Sequence, residues 1–405
     1  FMGGFKLSAI SGQLSAKGKE LTQRRKGAKD AEAQRNFLCV SVPLRLCVKV
    51  LHLLSLTAPY SQGSKKPCPP LDFASMTGVF ILSLDTEIAW GTYGAQKLSR
   101  LSPCFNAYRD YFPRLIALLD AYDIPATFAV VGHLFLEQCS GHDDVQQPHY
   151  RWSGAPDSYR DPCSDRQRAP WYYAPDIIDQ IRGARVHHEI GTHTFTHVIA
   201  ADPAVTPTVW EAQLAKCAAL HAERGLPMRS LVYPQNQIAY TDRLNDFGIV
   251  AYRGVERRWY TRLPRPLHRA FHLLDRTLGL TPPTYNLSSL RVGERLVDLP
   301  SSQFLMAYDG IRRFIPTSAR VRQARRGLEQ AVRRGQLFHL WFHPFNLGTS
   351  EEMFEALSQI LQIAARYRDA GQLRVLTMGA AAELLLDDAA REDGSVEASL
   401  REEWV

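Results

Sequence analysis

Four of the chain's thirteen histidines fall within the eleven residues His187–His197, "HHEIGTHTFTH". His193 and His197 stand four apart, a spacing that lets two imidazoles reach one cation, although packing or surface histidines produce it as well. Thr194 and Thr196 offer hydroxyls to the backbone of the same loop, whereas His187 and His188 precede it and are expected to point elsewhere. A second group lies in "SLDTE", where Asp85 and Glu87 end an apolar run. Strand alternation puts these two carboxylates on one face and Thr86 on the other. Two carboxylates in such a place are costly unless paired, hydrogen-bonded or bound to a cation, and capping of a following loop is the alternative role. His343, in "LWFHPFN", follows another apolar run and precedes a proline, so it is a candidate general acid or a satisfied rim residue.

These groups need elements that carry them to one place. From Met76 onward, short apolar runs alternate with segments of helical period. "GVFILSLD" (78–85), "PATFAVVG" (125–132), "HEIGTH" (188–193), "RSLVYP" (229–234), "GIVAYRG" (248–254), "ERLVDLPSS" (294–302) and "GQLFHLWFHP" (335–344) are expected strands, and "LRVLTMG" (373–379) is expected to close the set. Helical spacing marks 108–123, 174–184 and 206–225, the last with Pro207 for its first turn and Gly225 for its end. Alternation of this kind predicts an α/β protein with a mainly parallel sheet and helices outside it, and seven or so strands suggest a barrel. In such folds function sits at the C-terminal ends of strands, where Asp85, His193, Pro234 and His343 fall. Residues 140–172 and 255–293 are expected insertions, the second with a helix, "RPLHRAFHLLDRTLGL".

Taken in order, "SLDTE", "HEIGTHTFTH", "LVYPQN" and "LWFHPFN" resemble the motifs of the polysaccharide deacetylase family, carbohydrate esterase family four, with "PATFAVVGHLF" similar to its second strand. The resemblance runs over roughly 76–380 and implies a single catalytic domain, a distorted (β/α)7-type barrel. It implies a divalent metal ion, Zn2+ in the first instance, on His193 and His197, and removal of N-acetyl groups from a glycan substrate; hydrolysis of a non-sugar C–N bond on the same fold, or a catalytically silent carbohydrate-binding domain, is the alternative. Asp85 then corresponds to the catalytic base and His343 to the acid that protonates the leaving amine. Tyr233, Pro234 and Asn236 mark the turn whose backbone N–H helps bind the oxyanion. Three departures stand out. Thr86 occupies the place of the family's second aspartate, so Glu87 is the substitute ligand, or Asp85 binds the metal and Glu87 is the base. Gln235 stands where an arginine normally orients the base, so Arg229 or Arg253 must compensate. "VDLPSS" occupies the place of an aspartate–tryptophan pair. Trp90, Tyr93, Trp171 and Tyr172 are candidates to stack on sugar faces or to pack in the core.

The bulk numbers exclude some partners. A net charge of +7 invites a nucleic-acid role, but residues 1–75 hold twelve Lys/Arg against four Asp/Glu, and the rest of the chain is nearly balanced. The body therefore has no domain-wide basic footprint, and nucleic acid is not expected as a partner. Seven scattered cysteines without a CxxC suggest reduced thiols, not a disulfide framework or a thiolate zinc site. Residues 1–75 are expected to be a poorly ordered or spurious extension. Arg45 and Lys49 interrupt their apolar stretch and argue against a membrane span or an export signal. Translation starting near Met76 would make the protein cytoplasmic, and an exported or membrane-associated form is the alternative. Residues 388–405 read as a charged tail, and the oligomeric state is not legible.

Overall fold

The structure, a computed structural model, describes residues 77–142, 145–151 and 163–387. The expectations for 1–75 and for the tail lie outside them. The strands are β1 (Gly78–Thr86), β2 (Thr127–Val130), β3 (Glu189–Thr192), β4 (Ser230–Val232), β5 (Ala251–Arg253), β6 (Tyr285–Asn286), β7 (Arg291–Val292), β8 (Leu296–Asp298), β9 (Gln303–Phe304), β10 (Gln336–Phe342) and β11 (Leu373–Leu376). The helices are α1 (Ala95–Asn106), α2 (Tyr108–Tyr122), α3 (Pro175–Arg182), α4 (Pro207–Glu223), α5 (Arg265–Leu278), α6 (Thr317–Arg334) and α7 (Glu351–Asp369), followed by a helical stretch at 378–387.

β10, β1, β2, β3, β4, β5 and β8 lie side by side and parallel, as the alternation predicts, with only β6 and β7 antiparallel at the margins. The ring is closed by the segment 296–305. Its first part bonds to β5, with Leu299 N–H donating to Tyr252 C=O and Ser301 N–H to Gly254 C=O. Its second part bonds to β10, with Ser302 N–H donating to His339 C=O and Leu305 N–H to Trp341 C=O. β8 and β9 thus act as one kinked seventh strand. "LRVLTMG" supplies the last strand, as expected: β11 pairs with Gly78–Ile81, below the part of the same β1 edge that takes β2.

The period of two along β1 decides what the barrel encloses. Phe80, Leu82 and Leu84 join the large apolar cluster formed with the surrounding helices, and Phe80 stacks on Phe338 of β10. Val79 and Ile81 belong to a second cluster with Ala129, Val232, Ala251, Val297, Leu299 and Leu337, which Met378, Ala381 and Ala382 of the last helix complete. Higher along the same face stand Ser83 and Asp85, and Glu87 follows just past the strand. The bore therefore changes from apolar at one end to polar at the strands' C-terminal end. The longest predicted helix is confirmed as α4, where Thr206 accepts the Val209 N–H as N-cap and Pro207 opens the first turn. Among the described residues no helix is long and apolar enough to cross a membrane.

His188 illustrates the structural use of a histidine. Its Nδ1 accepts the Ala126 N–H at 3.2 Å and its ring packs on Phe128. Burial pushes its pKa down to about 4 from 6.5. A depressed folded-state pKa supplies stability that is complete above the unfolded value and is lost as pH falls from about 6.5 towards 4. His188→Gln should therefore flatten that part of the curve of unfolding free energy against pH, measured by denaturant titration.

Candidate active site

The polar end of the bore gathers residues from five strand ends. Asp85 is on β1, Glu87 one residue beyond it, His193 directly after β3, Asn236 in the turn after β4, Arg253 at the end of β5 and His343 directly after β10. All of these except Arg253, which lies behind Asp85, line one cavity of about 530 Å³ together with His197. Asp85, Glu87, His193, His197 and Arg253 are buried, and His343 is partly exposed.

Glu87, His193 and His197 form a candidate metal centre, with ligand atoms within 4.8 Å of one another. Glu87 Oε2 lies 2.8 Å from His197 Nε2 and 3.4 Å from His193 Nε2. His193 Nδ1 is 2.7 Å from the Val232 carbonyl oxygen, which can only accept. Nδ1 therefore carries the proton and Nε2 turns its lone pair to the cluster, the usual orientation of a ligating histidine. His197 Nδ1 meets the Tyr93 hydroxyl at 2.5 Å, which fixes the second ring. Burial alone would push the Glu87 carboxyl up, but the neighbouring His343, His197 and His193 hold it well below the usual carboxylate range. Burial lowers the His197 pKa. A carboxylate beside two imidazoles is a donor set that suits a divalent cation. Gly91 faces the Glu87 carboxylate so closely that a Cβ there would stand 2.2 Å from Oε2.

Loop geometry explains how both histidines turn inward. Thr194 and His197 adopt left-handed backbone (φ 62° and 58°), which costs on the order of 1–3 kcal/mol per residue unless neighbours impose it. The neighbours do. Thr194 Oγ1 accepts the Val198 N–H, Gln213 accepts from the N–H and hydroxyl of Thr196, and the Gly132 and His133 N–H groups donate to Thr194 and Phe195. Both threonines thus take the structural role expected of them.

Asp85 makes a different set of contacts. Arg253 grips it with both arms, Nη1 at 2.5 Å from Oδ1 and Nη2 at 2.7 Å from Oδ2. Burial opposes ionisation of this carboxyl, and the Arg253 charge and hydrogen bonds outweigh it and lower the pKa. Of the two arginines suggested to compensate for Gln235, Arg253 does so, and Arg229 instead pairs with Glu383 on the far side. Arg253 also donates to Ser83 Oγ and Asn236 Oδ1, and its guanidinium lies 4.0 Å from the Trp341 ring centroid. Beneath it, His339 donates through Nδ1 to the Leu299 carbonyl and accepts the Ser83 hydroxyl at Nε2, with its pKa pushed down to about 3 by burial and by Arg253. Asp85 is thus committed to arginine while Glu87 faces the histidines, which favours Glu87 as ligand over the exchanged assignment.

His343 Nε2 stands 3.6 Å from Glu87 Oε1 and 3.9 Å from Asp85 Oδ2, framed by Phe304, Trp341 and Phe345. Of the expected oxyanion turn, Asn236 and Gln235 reach the cavity. The Tyr233 side chain does not: its ring stacks on Trp210 and its hydroxyl donates to the Ala239 carbonyl, and Pro234 is buried beside it. Of the two roles open to Trp90, Tyr93, Trp171 and Tyr172, packing is the one they take. Trp90 packs on His133 and Tyr172, Trp171 on Phe105, and Tyr93 is spent on His197. The aromatic walls of the cavity are Phe304, Trp341 and Phe345. Period-two spacing from Asp85 back to Ser83, and from His343 back through Trp341 to His339, was the signal that could have found the missed residues.

Removing one partner of a buried charge pair leaves the other uncompensated. Arg253→Leu should therefore lower unfolding free energy by about 3–5 kcal/mol, and Arg253→Leu/Asp85→Leu should recover most of it in a double-mutant cycle.

Residues 102–246 match the family model described as Polysaccharide deacetylase. No curated protein matches the chain in sequence. Among solved structures, a candidate polysaccharide deacetylase from Mycobacterium smegmatis is similar at 17% identity and TM-score 0.49, over 80% of this chain and 96% of that one. Puue allantoinase is similar at 11% identity and TM-score 0.47, over 80% and 97%. At such scores these likenesses carry no argument, and the architecture stands on the strand register above. The matched segment holds two of the four motifs, with His193 and His197, and supports the resemblance: residues 102–246 are similar to the polysaccharide deacetylase family.

Proposed function

We propose that the chain is a metal-dependent hydrolase that removes N-acetyl groups from the amino sugars of a polysaccharide or its precursor. The observation that carries this is the meeting of Glu87, His193 and His197 in one cavity with an arginine-held carboxylate and a strand-end histidine. The two-imidazole, one-carboxylate donor set suits Zn2+. Bound there, a divalent cation lowers the pKa of water and polarises an amide carbonyl.

The chain's own groups supply the rest. Asp85, ionised and oriented by Arg253, accepts the proton of the attacking water. The turn at Gln235 and Asn236 borders the carbonyl oxygen as charge develops on it. His343 donates a proton to the departing nitrogen, which turns a poor leaving group into an amine. Phe304, Trp341 and Phe345 offer apolar faces to sugar rings, and Lys97, Arg100, Asp309 and Arg312 line the same cavity with groups that can pair with hydroxyls or acidic substituents. The products are acetate and a free amino sugar.

Elemental analysis of the purified chain, followed by acetate release from a panel of N-acetylated oligosaccharides, tests the proposal. His193→Ala is expected to lose metal at this centre and all turnover. His343→Ala should keep the metal and lose turnover, typically by 10²–10⁴-fold for a general acid. Full turnover in His343→Ala would remove it from the role of acid. Tyr93→Phe is expected to weaken metal binding about 10–100-fold through the His197 ring, read as a change in Kd by competition with a chelator.

A further inference from the structure

A second cluster of ligating side chains lies behind the first. His133, buried, sits in the 3-10 turn that follows β2, and Cys139 and His142 come from the start of the 140–172 excursion. Their ligand atoms all lie within 4.8 Å of one another. We infer that His133, Cys139 and His142 form a second metal site, structural in kind, for a thiophilic divalent cation of the zinc type.

The orientation of these side chains favours a cation over a chance grouping of polar residues. His133 Nδ1 is 2.8 Å from the Tyr172 carbonyl oxygen, so it carries the proton and Nε2 presents a lone pair. The same device orients His193 by way of Val232. That Nε2 stands 3.8 Å from Cys139 Sγ. A tetrahedral zinc with Zn–S of about 2.3 Å and Zn–N of about 2.0 Å holds its sulfur and nitrogen ligands about 3.6 Å apart. The sulfur has a polar neighbour as well: the Tyr173 hydroxyl, which accepts the Ser164 N–H at 3.0 Å, stands 2.9 Å from Cys139 Sγ. The spacing, histidine, five residues, cysteine, two residues, histidine, lacks the paired cysteines by which thiolate sites are usually found in sequence.

The position gives the site a purpose. None of the three residues lines the active-site cavity, so the cluster is separate from Glu87, His193 and His197. The His133 and His142 rings both pack on Phe195, and the His133 N–H donates to the Phe195 carbonyl. Phe195 is midway between His193 and His197. A cation here ties the beginning of the 140–172 excursion to the end of β2 and braces the left-handed loop that presents both cavity histidines.

The full chain, prepared under reducing conditions, should bind two equivalents of zinc, measured by elemental analysis. Cobalt(II) exchanged into it should show a thiolate-to-metal charge-transfer band. His193→Ala/His197→Ala should retain one equivalent and the band, and Cys139→Ser should lose the band and one equivalent while keeping the other. A band that survives in Cys139→Ser, or a His193→Ala/His197→Ala chain that binds no metal, would overturn the inference and leave the proposed hydrolase centre untouched. Where Cys139→Ser does not fold, the cobalt spectrum of His193→Ala/His197→Ala decides alone: absence of the band refutes the second site.

Discussion

Arg253 and Asp85 meet in the bore of the barrel, and the charge balance of the site depends on that contact. A carboxylate at that depth is expensive to ionise without a partner. The planar guanidinium answers both of its oxygens at once, and its Nη groups also meet Ser83 and Asn236 while its face lies on Trp341. Because Asp85 is held in this way, Glu87 is left to face the two imidazoles. A single buried ion pair thus separates two acidic residues, one at the end of β1 and one just past it, into different chemical environments.

Much of this organisation was legible in residue order. An apolar run ending in Asp85-Thr86-Glu87 has to place the acids on one face, and the barrel shows them there. The HxxxH pair, the capped helix at 206–225 and the strand-end histidine were all local signals, and all three were found where the alternation put them. What could not be read were contacts made by closure. Which arginine would compensate for Gln235 depended on β5 standing opposite β1 across the bore, a relation between residues 168 positions apart. The aromatic walls were missed for the same reason. Trp90 and Trp171 look available in the linear text because they stand near the first motif and an insertion, but packing against His133 and Phe105 consumes them. Phe304 and Trp341 belong to strands that meet only when the ring forms.

The two histidine clusters show one solution used twice. In each, a backbone carbonyl holds an Nδ1 proton and so directs Nε2, and in each the carbonyl belongs to a segment distant in sequence. Orientation of the rings is therefore a product of tertiary structure and not of the motif itself. HxxxH supplies the residues, and Val232 and Tyr93 make one nitrogen of each ring available.

The seventh strand carries a mechanical consequence. Leu299 and Ser301 hold to β5, whereas Ser302 and Leu305 hold to β10, so the partner changes between two consecutive serines. Only a handful of bonds on each side join the two halves of the cylinder along this seam, against the continuous ladder between β1 and β10. The seam runs between Arg253 on one flank and Trp341 on the other, so a single kinked strand sets the spacing between the guanidinium that holds Asp85 and the aromatic wall of the cavity.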